Sequence, residues 1–126
     1  MNEKHRKQSL RMFTYGVYIL CSKNKDEYCA STITWVSQAS FDPPLISVCI
    51  KKGSLSYNIV KKRGEFILHP LGETQKELAA NFFKATQYEN GKLNGKKFVL
   101  NNDLPFINET PAFLQCKVAK ILEYGD

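Results

Sequence analysis

The alternation of apolar and polar positions sets out a series of short strands. Between Met12 and Leu20, the residues Phe13, Tyr15, Val17 and Ile19 share one parity, and aromatic and β-branched types favour a pleated surface. A strand is expected there. Lys23-Asn24-Lys25-Asp26-Glu27 is a polar turn, so Tyr28 to Val36 is expected to return as its hairpin partner. That second run is rich in Ser and Thr, so one of its faces should meet solvent or a ligand. Ser40-Phe41-Asp42-Pro43-Pro44 reads as a turn, because two prolines fix the backbone and remove two donors. Leu45 to Ile50 follows as a continuous apolar strand.

Helical spacing appears twice. Ser54 to Lys62 predicts a short helix with Ser54 or Ser56 as N-cap, Leu55, Ile59 and Val60 turned inward, and Gly64 as the stop. Phe66 to Leu68 reads as a strand. Thr74-Gln75-Lys76-Glu77 fits a capping box for a second helix with Leu78, Ala79, Phe82 and Phe83 on its apolar side. Ala85 to Gly95 reads as a polar loop, Lys97 to Leu100 as a short strand, and Asn101 to Pro111 as turn-rich. Leu114, Cys116, Val118 and Leu122 share one parity, against Gln115, Lys117 and Glu123 on the other, which is the pattern of a half-buried strand. About six strands and two helices, with early hairpins and no βαβ rhythm, predict a mostly antiparallel barrel with helices packed outside.

The length of 126 residues suits one domain, and 43% hydrophobic with 24% charged residues is ordinary for a globular chain. No apolar run reaches the roughly 18 residues of a membrane helix. The basic start MNEKHRKQ is not followed by a signal-peptide core, so a cytoplasmic protein is expected, with His5 in an N-terminal tail. None of the four cysteines forms a C-x-x-C pair, which argues against a zinc ribbon or a thioredoxin-like pair. Cys49 and Cys116 sit in apolar runs and read as small buried hydrophobes. The net charge of +6 serves solubility or attracts an anion, and without interleaved aromatics nucleic acid is the weaker anion.

Familiar catalytic motifs are absent. There is no nucleophile elbow, no H-E-x-x-H, no Walker A and no G-x-G-x-x-G, so an enzyme built on this chain would draw its chemistry from a bound cofactor. One constellation points to such a group. A hydroxyl-rich strand with Ser31, Thr32, Thr34 and Ser37 precedes an apolar strand ending in Lys51-Lys52-Gly53-Ser54-Leu55-Ser56. Hydroxyls, a basic residue and free N–H groups at a helix start suit a phosphate. The plain alternative is that Ser54 is a cap and the lysines are a solvated edge.

The order and spacing of these pieces resemble the flavin reductase-like, FMN-binding family. The resemblance runs through Gly16-Val17, Thr32 to Ser37, Ser40-Phe41-Asp42-Pro43-Pro44-Leu45, Ser54 to Ser56, Gly64-Glu65-Phe66 and Leu71 to Phe82. It implies an antiparallel Greek-key split β-barrel with two flanking helices, forming a homodimer with FMN near the subunit interface (FAD is possible). It implies that Ser31, Thr32, Ile33 and Thr34 lie along the isoalloxazine and ribityl chain, and that Cys49, Lys51, Ser54 and Ser56 approach the ribityl and phosphate. His69 stands where the family often has Asn beside the pocket. Trp35 departs from a common Ser and is counted among the cofactor-binding candidates, either stacking near the ring or serving as an exposed or interface aromatic; Ala30-Ser31 departs from a common Gly-Met. The family also continues past a Gly-Asp pair with a His and further strands, so residues 1–126 are expected to form a single domain lacking those strands.

The activity implied is NAD(P)H-dependent flavin reduction, with hydride passing from nicotinamide to flavin N5. The runner-up is an electron-transfer flavoprotein fed by a redox partner protein rather than by NAD(P)H. Two further readings are a cofactor-free basic barrel that binds nucleic acid and a vestigial domain that only dimerises.

Overall fold

The computed structural model describes residues 2–110 and 112–126. A basic helix α1 (Glu3–Leu10) opens the chain. Four strands follow: β1 (Tyr18–Asn24), β2 (Glu27–Ile33), β3 (Val36–Ser40) and β4 (Leu45–Val48). Then come α2 (Leu55–Arg63), β5 (Glu65–Pro70), a 3-10 turn at Glu73–Gln75 and α3 (Lys76–Asn81). The chain finishes with β6 (Tyr88–Glu89), β7 (Lys92–Leu93), β8 (Lys96–Asn101), β9 (Leu104–Ile107) and β10 (Leu114–Lys117). Three antiparallel sheets result, in the orders β10-β5-β1-β2, β3-β4 and β6-β7-β8-β9.

The central sheet is covered on both faces, which explains the unbroken apolar run in β1. Ile19, Leu20 and Cys21 have no exposure at all. Ile19 and Cys21 join Ala30, Leu78, Phe82, Leu93 and Ile107 in one core. Leu20 turns the other way, to Cys29, Ile59, Val60, Phe66 and Leu68. One side is therefore roofed by α2, and the other by α3 and the β6–β9 meander. A strand buried on both faces loses the alternation that marks a half-exposed one.

Several sequence expectations shift against this frame. The first strand starts at Tyr18 rather than Met12, and Met12, Phe13 and Tyr15 are exposed. The run from Tyr28 to Val36 is two strands, broken at Thr34-Trp35. Ser54 caps α2, accepting from Tyr57 N at 3.1 Å, and Gly64 ends it in the left-handed conformation (φ 76°). The inward face of α2 is Ser56, Ile59 and Val60, whereas Leu55 is 42% exposed. The capping box expected at Thr74 does not form: Gln75 Oε1 accepts from Gly72 N at 2.9 Å, and Gly72 has no side chain to return the bond. Phe82 is buried, but Phe83 is exposed.

The segment expected to be loop is a meander. Asn90-Gly91, Asn94-Gly95 and Asn102-Asp103 all hold positive φ, the backbone that two-residue hairpins require. There are three α-helices among the described residues rather than two. The extra one, α1, buries no residue and so carries no apolar stripe to betray it. The C-terminal strand is shorter than its parity pattern and stops at Lys117. Cysteine burial is also reversed: Cys21 and Cys29 are buried, Cys116 is partly covered and Cys49 is exposed.

The outer edge of β2 is blunted without a strand. Thr86 Oγ1 accepts from Ala30 N and donates to Ala30 O, both at 3.1 Å, and Thr32 N donates to Phe82 O at 2.9 Å. At the far end of α2, Arg63 donates to the carbonyls of Lys23, Asn102 and Asp103. This ties the helix to two hairpin turns.

Candidate functional site

The candidate residues gather where β2 gives way to β3. Tyr18↔Ile33 is the last pair of the β1–β2 ladder and Val36↔Val48 the first of β3–β4. Thr34 and Trp35 stand outside both ladders. Their peptides are nevertheless held: Val36 N donates to Thr34 O at 3.1 Å, and Cys49 N to Trp35 O at 3.0 Å. Val36 and Val48 pack inward beside Ile33. Trp35, Ser37, Ser47 and Cys49 therefore take the outward face by strand alternation. Trp35 is 57% exposed and Tyr15 lies beside it, ring centroids 6.5 Å apart. Ser37 Oγ and Ser47 Oγ are 2.9 Å apart.

The second group sits at the start of α2. Lys51 is exposed. The Ser54 hydroxyl donates to Lys51 O at 2.8 Å while capping Tyr57 N. Ser56 is buried, with its hydroxyl 2.7 Å from Ser31 Oγ. Burial pushes the Cys29 thiol up to about 11, the Ser56 hydroxyl opposing that rise. Both serines are thus engaged within the protein. The C-terminal segment reaches the same loop. Lys52 N donates to Asp126 O at 2.7 Å, Lys52 Nζ to Glu123 O at 3.2 Å, and Glu123 accepts from Tyr57 and Lys61. These contacts hold the Glu123 carboxyl below its ordinary range, the Tyr57 hydroxyl most of all.

Two expected site residues lie on the other face of the sheet. Thr32 and His69 flank Ile19 across the ladders, within the core roofed by α3. Thr32 Oγ1 donates to Ala79 O at 2.7 Å. His69 has no exposure; Ile107 N donates to its Nε2 at 3.2 Å, and Thr110 Oγ1 is 2.9 Å from its Nδ1. Burial lowers its pKa to about 4, so the ring stays neutral. Its sequence position allowed a ligand role, but its surroundings make it a satisfied core group. Ser31, Ile33, Thr34, Trp35, Cys49, Lys51, Ser54 and Ser56 remain on the α2 side or the β3–β4 arm. Tyr15 and Ser47 join this surface and were not singled out by sequence. The parity of Ser47 with Cys49 was the available signal; Tyr15 had none, since it was placed in a core-facing strand.

Two open depressions elsewhere, about 410 Å³ beside α1 and about 290 Å³ at the β6–β7 turn, share no residue with this surface. No group of His, Cys, Asp or Glu suited to a metal occurs among the described residues, and no described helix is long and apolar enough to cross a membrane.

The model of the flavin reductase like domain matches residues 10–126. The chain belongs to that family. Among curated relatives of this flavin reductase like domain, the NADH:FMN oxidoreductase of Rhodococcus qingshengii is 29% identical over 118 residues, covering 94% of the chain. The chain spans 61% of that relative's length. It spans 28% of a Rhizobium meliloti relative that is 30% identical over 91 residues. Component B of nitrilotriacetate monooxygenase from Mycobacterium thermoresistibile has the same fold, with a TM-score of 0.80 at 25% identity, covering 99% of the chain and 71% of that structure. The donor set fits a flavin. Hydroxyls, amides outside the ladders, an exposed indole and a free lysine suit a flat heterocycle with polar edges and a phosphate tail.

Proposed function

We propose that this chain is the flavin-binding domain of an NAD(P)H-dependent flavin reductase that uses FMN. The observation that carries the reading is the family match over residues 10–126, coinciding with a strand break at Thr34-Trp35 that leaves the indole exposed. Bound flavin would supply the redox chemistry, taking hydride from the nicotinamide and releasing electrons to free flavin, a metal complex or a partner protein. The chain's own residues bind and orient. The Thr34-Trp35 corner offers amides to the ring edge, and Lys51 with the α2 start offers positive charge to the phosphate. In this reading the protein supplies positioning rather than an acid or base.

The assembly in this reading is a homodimeric Greek-key split barrel. Phe41 (87% exposed), Leu45 and Ile46 on the β3–β4 arm supply apolar area for a second copy to cover. The test is the visible spectrum of protein reconstituted with FMN and desalted, followed by anaerobic NADH or NADPH. Retained yellow colour that bleaches is the expected result. Yellow that resists both nucleotides supports instead an electron-transfer flavoprotein fed by another protein. Colourless protein after desalting sinks the bound-cofactor reading.

A further inference from the structure

We infer that Trp35 stacks on the isoalloxazine ring, and that the outward face of β3–β4 is the platform that determines how tightly the flavin is held. The inference rests on the flavin reading above and adds the residue that controls retention.

The face is built for a flat ring with polar edges. Val36 and Val48 fill the inner side, so Trp35, Ser37, Ser47 and Cys49 share the outer one. An indole 57% exposed leaves a large apolar plate in water. Its root does not swing freely, because Cys49 N–H donates to Trp35 O at 3.0 Å and the peptide before it is turned by Val36 N–H donating to Thr34 O. Tyr15 stands 6.5 Å away, its ring tilted 47° to the indole. The Ser37–Ser47 hydroxyl pair lies on the same face. A purely apolar partner would gain nothing from those hydroxyls. A heterocycle gains stacking from the indole and hydrogen bonds at its rim.

The experiment compares the full chain with Trp35→Phe and Trp35→Ser, reading FMN affinity, emission of the bound flavin and association state. Trp35 is the chain's one tryptophan, so indole emission reports this position alone. Trp35→Ser should weaken FMN binding by roughly 5- to 150-fold, the range of aromatic stacking on a base. It should also raise the emission of whatever flavin stays bound, by removing the quenching indole. Trp35→Phe should recover most of the affinity, and association state should be the same in all three proteins. Equal affinity and emission across the three would overturn the inference while leaving the flavin reading intact. A Trp35→Ser protein that falls apart into single chains, losing flavin only in step with that dissociation, would also overturn it and assign the indole to subunit contact. Failure of the parent protein to bind FMN would bring down the flavin reading and this inference with it.

Discussion

β1 and the β3–β4 arm are both antiparallel strand regions, yet they sit at opposite extremes of burial. Ile19, Leu20 and Cys21 have no exposure. On the arm Trp35, Phe41, Leu45 and Ile46 all face water by a third or more. Ser and Thr also behave differently in the two regions. Ser22 in β1 is spent on Glu65 O at 2.7 Å, whereas Ser37 and Ser47 bond each other on an exposed face. The contrast separates what the chain keeps for its own stability from what it presents outward.

The sharpest way to break this comparison is truncation in each region. Leu20→Ala should cost roughly 3–5 kcal/mol, because it opens a cavity between covered faces. Leu45→Ala should stay within about 0.5 kcal/mol in the dilute single chain. Urea denaturation of both variants measures this, and similar losses would erase the distinction.

His69 gives the next largest effect. Its folded pKa of about 4 lies below the ordinary 6.5. The neutral ring's contribution is therefore complete above pH ~6.5 and declines as pH falls towards 4, where the unfolded chain binds the proton first. The expected loss across that window is roughly 3 kcal/mol. Denaturation midpoints at a series of pH values should show it, and His69→Gln should flatten the slope. A slope that survives the substitution would assign the titration to another group.

Smallest is Ser54→Ala, which removes the cap from Tyr57 N and should cost about 1 kcal/mol. If its hydroxyl also gripped a phosphate, FMN affinity would fall beyond that change in stability. Unchanged affinity is the expected result, since the hydroxyl is already engaged with Lys51 O and Tyr57 N.

Much of this fold was legible because local chemistry and tertiary context agreed. Ser54 and Gly64 bracket α2 as their types demand, and Ser40-Phe41-Asp42-Pro43-Pro44 marks the bend into β4. The meander was read as a loop, although Asn90-Gly91 and Asn94-Gly95 are strong hairpin signals. It is easily read as loop because its strands at Tyr88–Glu89 and Lys92–Leu93 are two residues each, too short for parity to register. Position alone also misled at Phe13 and Tyr15, whose alternation matches a strand that the chain begins only at Tyr18. For the site, residue type pointed to Ser31, Thr32, Thr34, Ser37 and the Lys51–Ser56 bend, and the family resemblance added Ile33, Trp35, Cys49 and His69. Neither could tell which face each would take. The two-sided burial of the central sheet sends Thr32 and His69 to one core and Ser31 and Ser56 to the other.

The blunted margin at β2 gives the central sheet a direction. Thr86 and Phe82 occupy polar groups at Ala30 and Thr32 that a neighbouring chain would need for a ladder, while β10 lies at the opposite margin, beside β5. Any added strand, from a ligand peptide, another copy or a misfolded neighbour, would meet a closed selvedge on the β2 side. Recruitment or aggregation there would first have to displace the Thr86 and Phe82 bonds.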